Sequence, residues 1–162
     1  MSKTWRNEGA VDQFIDATPE EIYRVIADVT GIGERSAEYR SCEWLPGVEP
    51  GTVGSRFRGR NRSGLFRWSR VCGVVTANPG EAFAFRTVPE RIDPARKDST
   101  TWTFILTPHA SGTNVEHSYV ITKLPGVPFK SIYGRVLPQH RDMRPQMADT
   151  LNLLSAQVGR KG

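Results

Sequence analysis

The chain has 162 residues, a length typical of one domain. Its formal net charge is +5, but 17 acidic residues are interspersed among 22 basic ones, so no basic arm for nucleic acid is indicated. Met1–Arg6 includes no apolar segment, and no apolar run reaches the roughly 18 residues that span a bilayer. Because Cys42 and Cys72 are the only cysteines, a disulfide framework is not expected. We therefore expect a single domain over residues 1–162 that is reduced and cytoplasmic, without a signal peptide or an integral membrane segment.

The first part of the chain predicts a strand and then a helix. Residues 4–15 are predicted to form the strand. Thr18–Glu21 is typical of a helix start, because Thr can cap the end, Pro suits the first helical position and two acids face the positive end of the dipole. We expect this helix to end near Asp28–Gly31, and we predict a second short helix over Gly33–Tyr39. The apolar stripe of the first helix consists of Ile22, Val25, Ile26 and Val29.

The central part of the chain has the alternating pattern of strands separated by Pro, Gly and Asn. With the N-terminal strand, these segments give about seven strands joined largely by hairpins. Since no crossover helices interrupt them, the sequence predicts an antiparallel sheet and an α+β fold. The predicted strands are Tyr39–Leu45, Ser55–Asn61, Phe66–Thr76, Ala82–Thr87, Thr100–Thr107 and Asn114–Lys123.

The last part of the chain returns to helical spacing. Phe129–Leu137 predicts one or two helical turns, which Pro138 should break. A long C-terminal helix is then predicted, with Gly159 as its stop signal. Because this helix has one apolar face, we expect it to lie on the sheet. The apolar stripe consists of Met143, Met147, Leu151, Leu154 and Val158, and the polar face carries Arg144, Asp149, Asn152 and Gln157.

Strand alternation places large aromatic side chains from several strands on the face that the C-terminal helix would cover. Such a face, opposite two flexible methionines, is typical of either a packed core or an adaptable apolar pocket. We favour a pocket that is open over part of this face. The predicted ligand-binding residues are Phe57, Asn61, Trp68, Arg70, Phe85, Trp102, Phe104, His117, Tyr119, Met143 and Met147.

His117 is the predicted candidate for catalysis. An imidazole titrates near neutrality and could exchange a proton with an enolisable ligand, although a hydrogen-bonded core histidine is the simpler interpretation. Arg70 could face a ligand carboxylate or phenolate, pair with Glu43, or leave the groove through a bulge. Asn61 and Tyr119 could bond a ligand oxygen, or could serve as a strand-end cap and a core tyrosine.

Several other classes of ligand lack their motifs. The histidines and cysteines show no metal-ligand spacing, and no dinucleotide-binding or phosphate-binding glycine loop occurs, so we predict no metal and no cofactor. Arg56, Arg58 and Arg60 alternate on what should be a solvent-facing side, without the aromatic signature of an RNA-binding strand. We therefore predict no nucleic-acid partner, while transient contact with an anionic membrane stays open. Leu124–Phe129 could form a gate over the groove or a rigid corner, and we favour the corner.

Three segments carry a family resemblance: Gly54–Asn61, Trp68, and Asn78–Phe85. In these residues the chain resembles the bacterial polyketide cyclase/dehydrase and lipid-transport family of the START-like superfamily, and the resemblance extends over about residues 8–158. The resemblance implies the helix-grip fold, in which a curved antiparallel sheet wraps around a long C-terminal helix. The chain departs from such sequences at Arg35, where Trp is frequent, at Ala37, where Pro is frequent, and at His117, where Glu is frequent.

The resemblance also implies a function. We expect the protein to bind or transport a hydrophobic small molecule, such as a lipid, polyketide or aromatic compound, in an internal cavity. Arg70, His117 and Tyr119 would then hold any polar end of the ligand. One alternative is a polyketide aromatase/cyclase or dehydratase that uses His117, and another is a protein-interaction module of the chaperone-activator type, which predicts a filled core.

Overall fold

The computed structural model describes residues 5–88, 99–123 and 135–161. Their helices and strands follow the predicted order closely. The strands are β1 (Glu8–Ile15), β2 (Tyr39–Trp44), β3 (Arg56–Ser63), β4 (Phe66–Asn78), β5 (Ala82–Thr87), β6 (Ser99–His109) and β7 (Gly112–Lys123). The helices are α1 (Pro19–Ala27), a 3-10 helix over Val29–Glu34, a second 3-10 helix over Pro138–Arg141, and α2 (Arg144–Lys161).

The strands form a seven-stranded antiparallel sheet in the order β1-β7-β6-β5-β4-β3-β2, which confirms the predicted sheet and the α+β class. β1 and β2 are the two edges, so α1 and the 3-10 helix after it connect opposite sides of the sheet. Register shifts interrupt β2, β4 and β6. Such bulges bend strands and increase their twist, which produces a concave face able to receive a helix.

Helix α1 begins as the sequence predicts. The hydroxyl of Thr18 accepts a hydrogen bond from the Glu21 amide at 3.2 Å, and the Glu21 carboxylate accepts one from the Thr18 amide at 2.9 Å. This reciprocal pair satisfies two backbone donors that a helix N-terminus otherwise leaves open. The predicted first strand is too long at its start, because the observed β1 begins at Glu8.

The predicted second helix over Gly33–Tyr39 is wrong. The chain instead forms the 3-10 helix over Val29–Glu34, and Tyr39 already begins β2. The cause is local, since the Asp28 carboxylate accepts a hydrogen bond from the Thr30 amide at 3.1 Å and starts a tight turn directly after α1. This turn brings Arg35 into the protein interior, where its side chain is 2% exposed.

All five residues of the predicted apolar stripe are buried, four of them within α2 and Met143 directly before its first residue. Two details of the prediction are wrong. Gly159 does not stop the helix, because it lacks the positive φ of a helix-ending glycine and α2 continues to Lys161. Gln157 does not face solvent, because its amide lies beneath the 3-10 helix and bonds to Arg35 and Glu34.

The chain is helical at Arg135–Val136, and the break before α2 lies at Leu137–Met143, around the predicted Pro138. Residues 124–134 lie outside the described part of the chain. They include the proposed gate or corner at Leu124–Phe129 and most of the predicted turns over Phe129–Leu137.

The main core lies between the concave face of the sheet and the helices α1 and α2. Helix α2 contacts β1, β7 and α1. Leu151, Leu154 and Val158 from α2 pack in one cluster with Ile22 and Ile26 from α1 and with inward-facing residues of the strands. The sheet positions the site, and the helices cover it.

Leu154→Ala should lower the free energy of unfolding by about 2–5 kcal/mol, because Leu154 is fully buried and its truncation leaves a void. Leu153→Ala is the matched control, since Leu153 is 42% exposed on the same turn and its truncation should change stability by about 0.5 kcal/mol or less. Urea unfolding of the two variants measures the difference. Equal losses would contradict this placement of α2 on the sheet.

Candidate ligand cavity

A cavity of about 180 Å³ lies between the concave face of the sheet and α2. Strands β3 to β7 supply one wall, and residues 35–39 together with Leu137–Thr150 supply the other. Most of the residues predicted to bind a ligand line this cavity. They are Asn61, Trp68, Arg70, Phe85, Trp102, Phe104, His117, Met143 and Met147.

Phe57 and Tyr119 face the same side of the sheet but do not line the cavity, which corrects their predicted placement. The Phe57 ring is fully buried between Trp44 and Phe85, with ring centroids at 5.7 and 5.3 Å. Tyr119 is 1% exposed and packs against Met143, and its hydroxyl donates to the Arg6 carbonyl at 3.1 Å. Strand parity identifies the face of a residue, but the position of the covering helix decides whether that residue meets open space or packed side chains.

Three aromatic rings on β6 and β7 form a continuous part of the wall. Phe104 and His117 are direct cross-strand partners, and their rings stack at 3.9 Å with an interplanar angle of 5°. The Trp102 ring lies 6.0 Å from that of His117 and is inclined to it by 30°. Such a surface favours flat, apolar ligands.

The imidazole of His117 is almost completely buried, and this burial lowers its pKa to about 4. The positive charge of Arg35 lowers this pKa further, while the hydrogen bond to Thr103 opposes the shift. His117 Nδ1 lies 3.1 Å from the Thr103 carbonyl, which can only accept, so Nδ1 carries the hydrogen and Nε2 carries the lone pair. His117 is therefore neutral at pH 7 and is a weak base, better suited to accept a hydrogen bond from a ligand than to abstract a proton.

Arg35 is a cavity residue that sequence reasoning did not assign to the site. Its guanidinium donates to the carbonyls of Ile26 at 3.2 Å and Asp28 at 3.1 Å, which closes the end of α1, and to Gln157 Oε1 at 3.2 Å. Burial lowers its pKa to about 10, against the opposing effect of nearby acids, so the group stays charged at neutral pH. The signal in the sequence was the departure from the family resemblance at this position.

Arg70 lies on the cavity side of β4, directly opposite Gly59 of β3. The predicted alternative of an ion pair with Glu43 is wrong, because Glu43 lies on the outer face and accepts a hydrogen bond from Arg60 at 3.0 Å. The other alternative, an exit through a bulge, is also wrong, because the irregularity in β4 lies further along, at Val74/Thr76. Two guanidinium groups, those of Arg35 and Arg70, thus line one cavity.

A second polar group in the wall was missed entirely. The carboxylate of Glu38 lies with both oxygens 2.9 Å from His140 Nε2. It also accepts hydrogen bonds from the side-chain amides of Gln139 at 2.8 Å and Gln146 at 3.2 Å. Burial alone would raise the pKa of Glu38, but the hydrogen bonds and the charge of His140 outweigh it and the pKa is lowered. Because the partners are about 100 residues apart in sequence, no local pattern could have revealed them.

In the described part of the chain, no helix is long and apolar enough to cross a membrane. Within the same residues, no group of His, Cys, Asp and Glu side chains could hold a metal ion.

Arg56 and Arg60 are exposed on the outer face of β3, as the alternation predicts, while Asn61 is buried on the cavity side.

The curved sheet, the covering C-terminal helix and the cavity between them define a helix-grip protein. Residues 8–150 match the family described as polyketide cyclase/dehydrase and lipid transport, so the chain belongs to this family. No curated protein sequence matches the chain.

Solved structures with the same fold come from distant organisms. A Thermus thermophilus protein matches with a TM-score of 0.72 and 17% identity, covering 96% of this chain and 99% of that chain. Zhui aromatase/cyclase from a Streptomyces species matches with a TM-score of 0.71 and 11% identity, covering 95% and 94% of the two chains. The major latex-like protein 151 of Panax ginseng matches with a TM-score of 0.65 and 12% identity, covering 94% and 99%. At these identities, the likeness is one of fold.

The low pKa of His117 predicts a pH dependence of stability. Between about pH 6.5 and pH 4 the unfolded chain takes up a proton at this residue that the folded protein does not, so stability falls as the pH is lowered through this window. The loss should be about 3 kcal/mol at most. It should disappear in His117→Gln but persist in His109→Gln, because His109 is exposed at the end of β6. Urea unfolding at a series of pH values from 7 to 4 measures this loss of stability. The prediction would be contradicted if the free energy of unfolding of His117→Gln fell with pH as steeply as that of the wild type.

Proposed function

We propose that this cavity binds a hydrophobic small molecule with a flat aromatic part and one polar end. The observation that carries the proposal is the pairing of a stacked wall, made by Trp102, Phe104 and His117, with Met143 and Met147 on the opposite side. A flat ring can lie against the aromatic wall, while the flexible methionine side chains adapt to its other face.

The cavity volume limits the part of the ligand that is enclosed. An apolar cavity of about 150 Å³ in another protein binds benzene. The cavity of about 180 Å³ therefore suits a group of one or two rings rather than the whole of a long-chain lipid. A larger molecule would extend through the opening of the cavity.

The charges in the wall favour a particular polar end. Arg35 and Arg70 contribute positive charge, and neutral His117 contributes an acceptor nitrogen. A phenol or enol fits this arrangement, because its hydroxyl can donate to the imidazole while its oxygen is stabilised by a guanidinium. A ligand carboxylate would match the positive charge of the guanidinium groups, but it has no hydrogen to donate to the acceptor nitrogen of His117.

Two other functions remain to be weighed against binding or transport. The description of the family includes polyketide cyclases and dehydrases, and Zhui is an aromatase/cyclase, so catalysis on a bound aromatic or polyketide molecule is the second candidate. The observation that favours it is the Glu38–His140 pair in the wall. An interaction module with a filled core fits less well, because the helix leaves open space on the concave face.

Naphthol is a suitable probe, because it has two fused rings and one hydroxyl. We expect it to quench the fluorescence of Trp68 and Trp102, which line the cavity. Thr150→Phe should weaken binding at least tenfold, since it places a ring inside the cavity. Among the described residues, the Thr150 hydroxyl bonds only to the Gln146 carbonyl of its own helix, at 3.0 Å, so its loss breaks no hydrogen bond to another helix or strand there.

Asp149→Phe is the matched control, because it adds the same ring one residue away on the exposed side of α2 and should leave naphthol binding unchanged. Native mass spectrometry of gently purified protein would test the same proposal without a chosen probe, through a co-purified apolar molecule released on denaturation. Equal affinities of the two Phe variants, or no quenching at all, would contradict the proposal.

A further inference from the structure

We propose that His140, held in place by Glu38, is a general base that removes a proton from a carbon atom next to a carbonyl group of the bound molecule. This inference rests on the proposed function, because it requires a ligand in the cavity. It assigns the chemistry to His140 instead of His117, which the sequence alone favours.

The hydrogen bonds of His140 determine which of its nitrogen atoms can act. Nε2 faces both oxygens of the Glu38 carboxylate, which in its ionised form can only accept hydrogen bonds. Nε2 therefore carries a hydrogen, and in the neutral ring the lone pair lies on Nδ1. No side chain or carbonyl of the described residues bonds to Nδ1. A carboxylate on one imidazole nitrogen and a lone pair on the other is the arrangement of a positioned general base.

Glu38 is held so firmly that it can fix the orientation of the ring. Its side chain is 14% exposed, and the amides of Gln139 and Gln146 each donate a hydrogen bond to Oε1. The two amides come from the second 3-10 helix, which lies within the break before α2, and from the first turn of α2. Glu38 is thus a positioning residue, and its charge stabilises the imidazolium that forms when His140 takes a proton.

The surroundings of His140 place it where a ligand would lie. The edge of its ring meets the Trp68 indole, with centroids 6.1 Å apart, and both residues line the cavity together with Leu137 and Met143. The His140 side chain is 26% exposed, so a proton taken from a ligand can pass on to water. His117 lines the same cavity, but it is only 5% exposed, its ring stacks on Phe104, and its Nδ1 bonds to the Thr103 carbonyl.

The proposed step needs no co-reactant. His140 Nδ1 takes the proton, the C–H bond breaks, and its electron pair forms a C=C bond while the carbonyl π pair moves to oxygen. The resulting enolate oxygen is negatively charged, and the positive charges of Arg35 and Arg70 in the same cavity favour it. Return of the proton from His140 to another carbon completes an isomerisation, and its transfer to a departing hydroxyl group completes a dehydration.

Nitrobenzisoxazole tests for such a base without knowledge of the natural substrate. A base removes its ring C–H proton, the electron pair of that bond completes a nitrile, and the N–O bond breaks to give a coloured phenolate. We expect His140→Gln to lower kcat/KM about 100-fold, because Gln keeps a donor for Glu38 but has no basic nitrogen. Glu38→Gln should lower kcat about tenfold with KM unchanged, because the amide lacks the charge that stabilises the imidazolium and can donate to Nε2, which moves the ring hydrogen to Nδ1, while the cavity keeps its shape.

His109→Gln is the control and should match the wild type, because His109 lies outside the cavity. Circular dichroism and naphthol quenching establish that each variant is folded and binds. Wild-type protein that binds naphthol but does not convert nitrobenzisoxazole would overturn the assignment of a base and leave the proposed binding function intact. Activity that survives His140→Gln but is lost in His117→Gln would also overturn it, and a protein that binds neither compound would contradict both proposals.

Discussion

The width of the sheet is the constraint on which the cavity depends. Seven strands about 4.8 Å apart span roughly 29 Å, while an α-helix with its side chains is about 10–12 Å across. Helix α2 therefore covers only part of the concave face, near β1 and β7. The sheet curves toward the helices, and α1 together with the residues that lead into β2 and α2 covers much of the remaining concave face. The space that none of these elements fills is the cavity, so the binding site follows from how this fold covers an apolar face.

Buried polar groups connect α1 and the segment that follows it to α2 at two places. Arg35 joins the end of α1 to Gln157 near the end of α2, and Glu38 joins the same connecting segment to Gln146 in the first turn of α2. A buried charge is costly unless its hydrogen bonds are satisfied, and the surrounding carbonyls and amides meet that requirement here. Since Arg35 and Glu38 also line the cavity, the groups that hold the helices in place are also groups that a ligand would meet.

Two histidines line the cavity, and their different surroundings suit their imidazole rings to different roles. His117 is buried, stacked on the Phe104 ring and bonded to a backbone carbonyl, and burial keeps it neutral and makes it a weak base. His140 is bonded to the Glu38 carboxylate, and its side chain keeps some contact with solvent. Desolvation without a counter-charge favours the neutral form of an imidazole. Their surroundings, rather than their residue type, distinguish the binding role proposed for His117 from the acid–base role proposed for His140.

The amino-acid sequence by itself determined the strand pattern, the cap at Thr18, the buried stripe from Met143 to Val158 and the family. These features depend on local periodicity and on short motifs, which can be recognised without knowledge of distant contacts. Only the tertiary structure decided that Phe57 and Tyr119 are packed beside the cavity, that Gln157 is buried against Arg35, and that Glu38 meets His140. Each of these outcomes depends on where α2 crosses the sheet and on how the chain turns after α1. Strand parity and helical spacing assign a residue to a face, but the packing of elements far apart in sequence decides what that face meets.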